Sequence, residues 1–295
     1  MSDRYSEFNQ LMAQLAKQEG LTSTLVPDVW IFKASKDQSS IPTLYDPLVC
    51  LVGQGKKFCS VGETRFEYCT GNFFMNSLPM PVVSEIVGAT AEHPFLSMAL
   101  NINLIKLADM VLKIEREGSA MDSCKGQSCS SCIVIGNSNE SLDNAFLRLL
   151  QIANDPLAAN VLASGIIDEI YFRLLTSEHG YALRMLLNQY GDVQPMSKVV
   201  THIHDNIDKS IQVSDLASIA NMSKTSFFNA FKRLMHVPPN QYIKSTKLQK
   251  AQVLLAQGMQ ATEASYKVGY NSFSQFSREY KRFFGYTPSQ TKKAA

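Results

Sequence analysis

The spacing of apolar residues divides the chain into a β-rich first part and a helical second part. Between Leu25 and Ile102, short apolar runs recur about every ten residues and are separated by turns such as Gly62-Glu63 and Gly71-Asn72. This rhythm predicts short strands folded as a small barrel or jelly roll. A short amphipathic helix is predicted before them, over residues 5–20.

Helical periodicity follows the strands. Apolar positions share one helix face from Leu104 to Leu112, and further helices are predicted over Leu142–Ala153, Val161–Leu175 and Tyr181–Tyr190. Residues 118–139 are rich in Ser, Gly and Cys and predict a loop.

Two stretches near the end of the chain share one pattern, Asn221–Arg233 and Tyr270–Phe284. Each begins with a turn and a serine that suits a helix N-cap, Ser223 or Ser272. Each continues with an aromatic stripe at helical spacing and ends in a basic pair. A short helical run precedes each of them. Helix, tight turn and second helix predict a helix-turn-helix unit, here occurring twice.

A predicted linker at residues 191–195 separates two domains, residues 1–192 and residues 193–295. The first combines β strands with a helical tail. The second is all-α, with a long helix over Asn240–Gln257 between its two helix-turn-helix units. The fold class predicted is therefore α+β.

Charge follows nearly the same division. Residues 1–195 hold 14 Lys+Arg and 21 Asp+Glu, a net charge of −7, whereas residues 196–295 hold 14 and 5, a net charge of +9. A basic domain joined to an acidic one indicates that the basic half binds nucleic acid. The alternative is a basic solvated surface.

The composition, 45% hydrophobic and 18% charged, is that of an ordinary globular protein. No apolar run approaches the roughly 18 residues that a membrane span needs. The first twenty residues lack the apolar core of a signal peptide. We therefore expect a cytoplasmic protein without membrane contact and without structural disulfides.

The stretch Ser214–Gln290 resembles the DNA-binding domain of the AraC/XylS transcriptional regulators, most specifically in VGYNSFSQFSREYKRFFGYTPSQ at Val268–Gln290. Residues 43–112 resemble the N-terminal domain of one subgroup, in LYDPLVCLVGQGKK, YCTGNFF and PVVSEI. The resemblance implies a cupin-like β barrel that binds an effector in many relatives. It also implies a sequence-specific transcriptional regulator that binds double-stranded promoter DNA, as a monomer or a homodimer, and acts on RNA polymerase.

Two sets of side chains are predicted to contact DNA. The base-contacting candidates on the first two turns of each recognition helix are Thr225, Phe228, Asn229, Ser274, Ser277 and Arg278. The phosphate-contacting candidates are Lys224, Lys232, Arg233, Lys281 and Arg282.

Asn pairs with adenine, Thr or Phe packs on a thymine methyl, and Arg pairs with guanine. The alternatives are that Phe228 packs between the two helix-turn-helix units and that Arg278 contacts a phosphate or Glu279. For the phosphate-contacting candidates, the alternative is a basic face exposed to solvent.

The acidic half contains three cysteines close in sequence, Cys124, Cys129 and Cys132, within the predicted loop. Three thiolates could bind a soft metal or form a disulfide under oxidation, which predicts a thiol- or metal-sensing regulator. Structural zinc normally needs four ligands, and the fourth would be a residue such as Cys69 or His93. The alternative is a loop with incidental cysteines.

Aromatic residues of the predicted barrel are candidates for an effector pocket: Trp30, Phe32, Phe58, Phe66, Phe73 and Met98. They could hold a small-molecule effector or simply fill a small core. No cofactor is required. The apolar stripe of Val161–Leu175 predicts a dimer interface, with packing on the barrel as the alternative.

An enzyme is the competing class. The sequence has no Gly-rich phosphate loop and no His-Glu-x-x-His motif. An alkyl-transfer repair protein with a fused DNA-binding domain would need two close cysteine pairs, whereas only Cys129 and Cys132 are close. We therefore expect no catalytic residues. A DNA-binding protein without any effector is a third alternative.

Overall fold

The computed structural model describes residues 5–117, 132–187 and 193–291. The strands are β1 (Gly20–Ser23), β2 (Val29–Ala34), β3 (Gln38–Tyr45), β4 (Leu48–Gln54), β5 (Lys56–Val61), β6 (Thr64–Cys69), β7 (Asn72–Asn76), β8 (Met80–Ile86), β9 (Phe95–Asn101) and β10 (Ile133–Asn137). The helices are α1 (Ser6–Leu15), α2 (Leu104–Arg116), α3 (Glu140–Gln151), α4 (Pro156–Leu175), α5 (Gly180–Leu187), α6 (Val193–Asp205), α7 (Val213–Ile219), α8 (Lys224–Met235), α9 (Pro239–Ala256), α10 (Ala261–Lys267) and α11 (Phe273–Phe284). Within these ranges no helix is long and apolar enough to cross a bilayer.

The strands form two antiparallel sheets. The six-stranded sheet has the order β1-β2-β9-β4-β7-β10, and the four-stranded sheet has the order β3-β8-β5-β6. The predicted α+β class, with a β-rich domain and an all-α domain, is confirmed. The two sheets lie on either side of a cavity but do not close into one barrel.

One strand lies where a loop is predicted. β10 pairs with β7 in the order Ile133↔Asn76 to Asn137↔Asn72, so part of residues 118–139 is strand. Its apolar run, Ile133-Val134-Ile135, is only three residues long. Ile and Val favour strands, but a run this short becomes a strand by pairing with the edge of the larger sheet.

The six-stranded sheet is buried on both faces. One face, including Phe73 and Met98, packs against α1, α3 and α4 in a single apolar core. The opposite face, including Phe74, belongs to a second core. Burial on both faces explains why these strands read as continuous apolar runs in the sequence.

The second core continues into the helical domain. It contains residues of the four-stranded sheet, such as Val61 and Met80, together with Phe227 and Phe231 of α8. The second helix-turn-helix unit, α10 and α11, has a separate small core of eight buried residues. The first unit is therefore packed on the sheet domain, whereas the second depends on its own side chains and on Leu248, Ala251 and Leu255 of α9.

Candidate DNA-binding surface and ligand cavity

Helix α8 presents one apolar and one exposed face. Ser223 caps it by accepting a hydrogen bond from the Ser226 amide at 3.2 Å. Phe227 and Phe231 are fully buried, as the aromatic stripe predicts. The three base-contacting candidates of this helix, Thr225, Phe228 and Asn229, are all exposed, with Phe228 40% accessible. Since Phe228 is not buried between the two helix-turn-helix units, its face of α8 is available to DNA.

Helix α11 repeats this arrangement. Its N-cap Ser272 accepts from the Gln275 amide at 3.4 Å, and Phe276 and Tyr280 are fully buried. Ser274 and Arg278 are exposed, and Ser277 is half-buried.

The neighbour Glu279 does not form an ion pair with Arg278. It accepts a hydrogen bond from the Tyr270 hydroxyl at 2.9 Å instead. Within the described part of the chain, the guanidinium of Arg278 therefore has no carboxylate that would hold it away from DNA.

The five phosphate-contacting candidates are all exposed: Lys224, Lys232, Arg233, Lys281 and Arg282. Four of them lie at corresponding places, because each recognition helix carries a basic pair in its last turn, whereas Lys224 is the first residue of α8. Cations near a helix C-terminus also interact favourably with the helix dipole.

One lysine joins the two helix-turn-helix units. Lys247, in α9, donates to the carbonyls of Lys209 at 3.2 Å and Gly269 at 3.0 Å. Gly269 has φ +74°, and a Cβ there would lie 2.5 Å from the Asp208 carbonyl oxygen. The turn before α11 is thereby held against the segment between α6 and α7, which leads into the first unit, so the two units keep one spacing.

A cavity of about 420 Å³ lies between the two sheets. Two of the six predicted pocket residues line it, Trp30 and Phe32. Phe73 and Met98 point to the opposite face and pack in the helix-covered core.

The other two predicted pocket residues also lie elsewhere. Phe58 packs under the guanidinium of Arg65 at 3.9 Å, and Phe66 contacts the ring of His236 at 5.3 Å. Successive side chains of a strand point to opposite faces, so a shift of one residue exchanges inside and outside.

The cavity has an aromatic wall on the larger sheet, of which only Trp30 and Phe32 were predicted. Strand register places Trp30, Ala99, Cys50 and Phe74 in one row across the larger sheet. Tyr68 pairs with Lys57 on the opposite sheet. Phe73 and Phe74 are adjacent in β7 and point to opposite faces, so only one of them can line the cavity.

Lys57 is the cationic group of this cavity. It is only 8% exposed, and its Nζ lies 4.6 Å from the Phe32 ring centroid, 5.6 Å from that of Tyr45 and 5.8 Å from that of Phe95. Burial acts to lower the pKa of Lys57, the electrostatic effect and hydrogen bond of Tyr45 act to raise it, and the pKa lies above its ordinary value. The three ring faces around Nζ suit the charged ammonium form of the side chain.

The cysteines do not assemble into a site among the described residues. Cys124 and Cys129 lie outside those residues, and Cys132 is fully buried, with its amide donating to the Leu234 carbonyl at 3.2 Å. Burial also raises the pKa of the Cys50 thiol in the cavity wall. No group of three His, Cys, Asp or Glu residues that could hold a metal ion occurs within the described ranges.

The sheet domain contacts the helical domain next to the first recognition helix. The Tyr242 hydroxyl of α9 donates to the Pro79 carbonyl at 2.6 Å and lies 3.0 Å from His204 Nε2. The turn at Gly62 lies against His236, the left-handed C-cap of α8. Burial lowers the pKa values of His204 and His236, so both imidazoles are neutral at neutral pH.

The stripe predicted for dimerisation packs mainly inside the domain. Ile166, Ile170 and Leu174 are buried, which supports the alternative of packing within the domain. The outward face of α4 is nevertheless apolar, since Leu157 is 75% and Val161 65% exposed.

Two family profiles match this chain. The AraC-type transcriptional regulator N-terminus matches residues 25–182, and a helix-turn-helix domain matches residues 216–294. The Msm operon regulatory protein of Streptococcus mutans is 24% identical over 265 residues, which is 88% of this chain and 89% of that protein.

Two solved structures of ToxT from Vibrio cholerae have the same fold. One has a TM-score of 0.63 and 12% identity, covering 90% of this chain and 97% of ToxT. The other, with an unsaturated fatty acid bound, has a TM-score of 0.59 and 12% identity, covering 92% and 96%. At this identity the likeness shows the fold alone.

Proposed function

This chain belongs to the AraC-type family of transcriptional regulators, and we propose that α8 and α11 read promoter DNA under the control of a small molecule held in the cavity. The observation that carries the proposal is the pair of recognition helices. Both are capped by serine, both bury their aromatic stripe, and both expose polar side chains followed by a basic pair.

The two helices would enter successive major-groove segments, roughly 34 Å apart on one face of the DNA. In this arrangement Thr225, Phe228 and Asn229 contact bases from α8, and Ser274, Ser277 and Arg278 contact bases from α11. The five exposed cations position the protein on the phosphates without reading sequence. Because Lys247 fixes the spacing of the helices, binding both segments would favour bent DNA.

Arg278→Ala is expected to relax the preference at one base pair and to cost about 1–3 kcal/mol of specific binding, because the guanidinium pairs with a guanine edge. Lys232→Ala is expected to weaken binding to all sequences and to lower the slope of log affinity against log salt by about one, because one phosphate contact is lost. Fluorescence anisotropy with a promoter fragment and with random DNA at several salt concentrations measures both effects.

Lys113→Ala is the matched control, since Lys113 is exposed but lies in the sheet domain, paired with Asp109. It is expected to change neither affinity nor salt slope. Equal losses on specific and random DNA for Arg278→Ala would contradict its role in base reading.

The cavity is the proposed effector site. Its volume lies within the range of ligand pockets, and its wall includes five aromatic side chains. The fatty acid bound by ToxT is a precedent in the same fold for a small-molecule ligand. A route to the DNA-binding half exists, because β3, whose Tyr45 lines the cavity, also packs against α9. A ligand that changes β3 would therefore act on the helix that joins the two recognition helices.

We propose residues 1–192 as the effector domain and residues 193–295 as the DNA-binding domain. A second copy of the chain and RNA polymerase are the proposed protein partners. The protein would act at promoter DNA in the cytoplasm, without an enzymatic step of its own. No observation on the described residues favours the thiol- or metal-sensing alternative or the repair alternative.

Val161→Glu is expected to convert a homodimer into a monomer. Val161 and Leu157 form an exposed apolar face on α4, and α2, which packs against α4, exposes Ile105 to 83%. A second copy covering this face would give the regulator avidity for two half-sites. Light scattering during gel filtration measures the mass. Val253→Glu, the same change at an exposed position of α9, should leave it unchanged. A monomeric wild-type protein would contradict the proposal.

A further inference from the structure

We propose that the effector of this cavity is an organic acid with one carboxylate and an apolar body, and that Lys57 binds the carboxylate. The inference rests on the proposed effector site and names the chemistry of its ligand. It is carried by the position of the Lys57 ammonium, which is nine-tenths buried and lies in the cavity wall.

The charge of Lys57 has no counter-ion in the described part of the chain. No carboxylate lies within salt-bridge distance of its Nζ, although its neighbour Lys56 pairs with Glu67 at 2.9 Å. The Cys50 and Cys59 thiols beside it are buried and stay protonated. Ring faces and the Tyr45 hydroxyl stabilise the ammonium in part.

A buried charge is costly unless it is paired, so a site with this arrangement favours an anion. A carboxylate entering the cavity would supply the missing charge and a charge-assisted hydrogen bond. The cavity is therefore expected to bind an acid more tightly than a neutral analogue of the same shape.

The rest of the wall determines the other features of the ligand. Trp30, Phe32, Tyr68 and Phe74 provide ring surface for an aromatic or aliphatic body. Asp46 also lines the cavity and is exposed, so it lies towards the open side. A second negative charge at that end would meet the Asp46 carboxylate, and a monocarboxylate is therefore favoured over a dicarboxylate.

Trp30 is the one tryptophan of the chain and lines the cavity, so its fluorescence reports ligand binding directly. The probes are two acids, phenylpropanoate and octanoate, each compared with its uncharged amide. Wild-type protein is expected to bind at least one acid about 10–100-fold more tightly than the matching amide, as for a hydrogen bond to a charged group. Lys57→Met is expected to abolish that preference while still binding the amide.

Lys56→Met is the control variant, because Lys56 is exposed on the adjacent position of the same strand; it should keep the wild-type preference. Equal binding of acid and amide by the wild-type protein would overturn the assignment without requiring any variant. Binding of neither acid would overturn it as well. So would an acid preference that persists in Lys57→Met.

Affinity for promoter DNA is measured in the same samples, so that the two proposals fail separately. A Lys57-dependent acid preference with unchanged DNA affinity would support the ligand class and contradict effector control. Equal binding of acid and amide by the wild-type protein, with intact DNA binding by α8 and α11, would contradict only the ligand class.

Discussion

Phe276→Ala is expected to unfold the second helix-turn-helix unit while the sheet domain and the first unit stay folded. Phe276 is fully buried and contacts the rings of Tyr270 at 5.3 Å and Tyr280 at 5.4 Å. Removing a buried Phe side chain costs about 3–5 kcal/mol. The unit has a core of only eight buried residues, so this loss is comparable to the stability that such a small core supplies.

Hydrogen exchange with mass spectrometry measures this result. Amides of α10 and α11 should lose protection, whereas those of the larger sheet should keep it. The affinity for the specific DNA site should fall to that expected when only one recognition helix binds. Phe283→Ala, the same change at a half-buried position of α11, should cost much less. Equal loss of protection throughout the chain would show that the eight-residue core is not independent.

The DNA-binding half was predictable because its signals are local. The caps Ser223 and Ser272 and the aromatic stripes at helical spacing specify where each recognition helix begins and which face is buried. The structure places the predicted exposed side chains on the exposed faces, including Arg278. Those patterns depend on neighbours three and four residues away, which the sequence shows directly.

The cavity was predictable only in outline. The run Phe73-Phe74-Met75 is apolar throughout because helices cover one face of its strand and the cavity lies on the other. Without alternation, no local signal distinguishes the residue that faces a ligand from the one that faces the core. Lys57 was missed for a related reason, since a lysine in a polar Gly-Lys-Lys stretch is normally exposed.

The contact between domains could not be predicted at all. A linker was predicted at residues 191–195, and the β5–β6 turn reads as an ordinary hairpin turn. Thr64 and His236, which meet at 3.5 Å, are 172 positions apart in sequence. No periodicity connects such residues, so their contact appears only in the folded chain.

Gly62→Ala is expected to weaken the contact between the sheet domain and α8 and to uncouple DNA affinity from the bound ligand. Gly62 has φ +61°, and a Cβ there would lie 2.5 Å from the His236 carbonyl oxygen and 3.1 Å from Val237 Cγ1. Because the nearest atom belongs to backbone, it cannot move aside as a flexible side chain would. The turn must therefore separate from the C-cap of the recognition helix.

Gly88→Ala separates this effect from backbone strain. Gly88 also has a positive φ, +78°, but a Cβ there would meet nothing within 4 Å. The left-handed conformation lowers the free energy of unfolding of both variants by about 1–2 kcal/mol. Only Gly62→Ala adds the clash with His236, which we expect to cost a further 1–3 kcal/mol or so, as overpacking does.

Denaturant unfolding measures the difference between the two variants. Trp30 fluorescence follows the sheet domain, and far-ultraviolet circular dichroism follows mainly the helices. One core spans the sheets and the first recognition helix, so the two signals should change together in wild type and Gly88→Ala. In Gly62→Ala they should separate, and a ligand that alters wild-type DNA affinity should no longer do so. Identical behaviour of the two variants would mean that the Gly62 turn does not transmit the effector signal, and that other contacts, such as those of β3 and β8 with α9, connect the cavity to DNA.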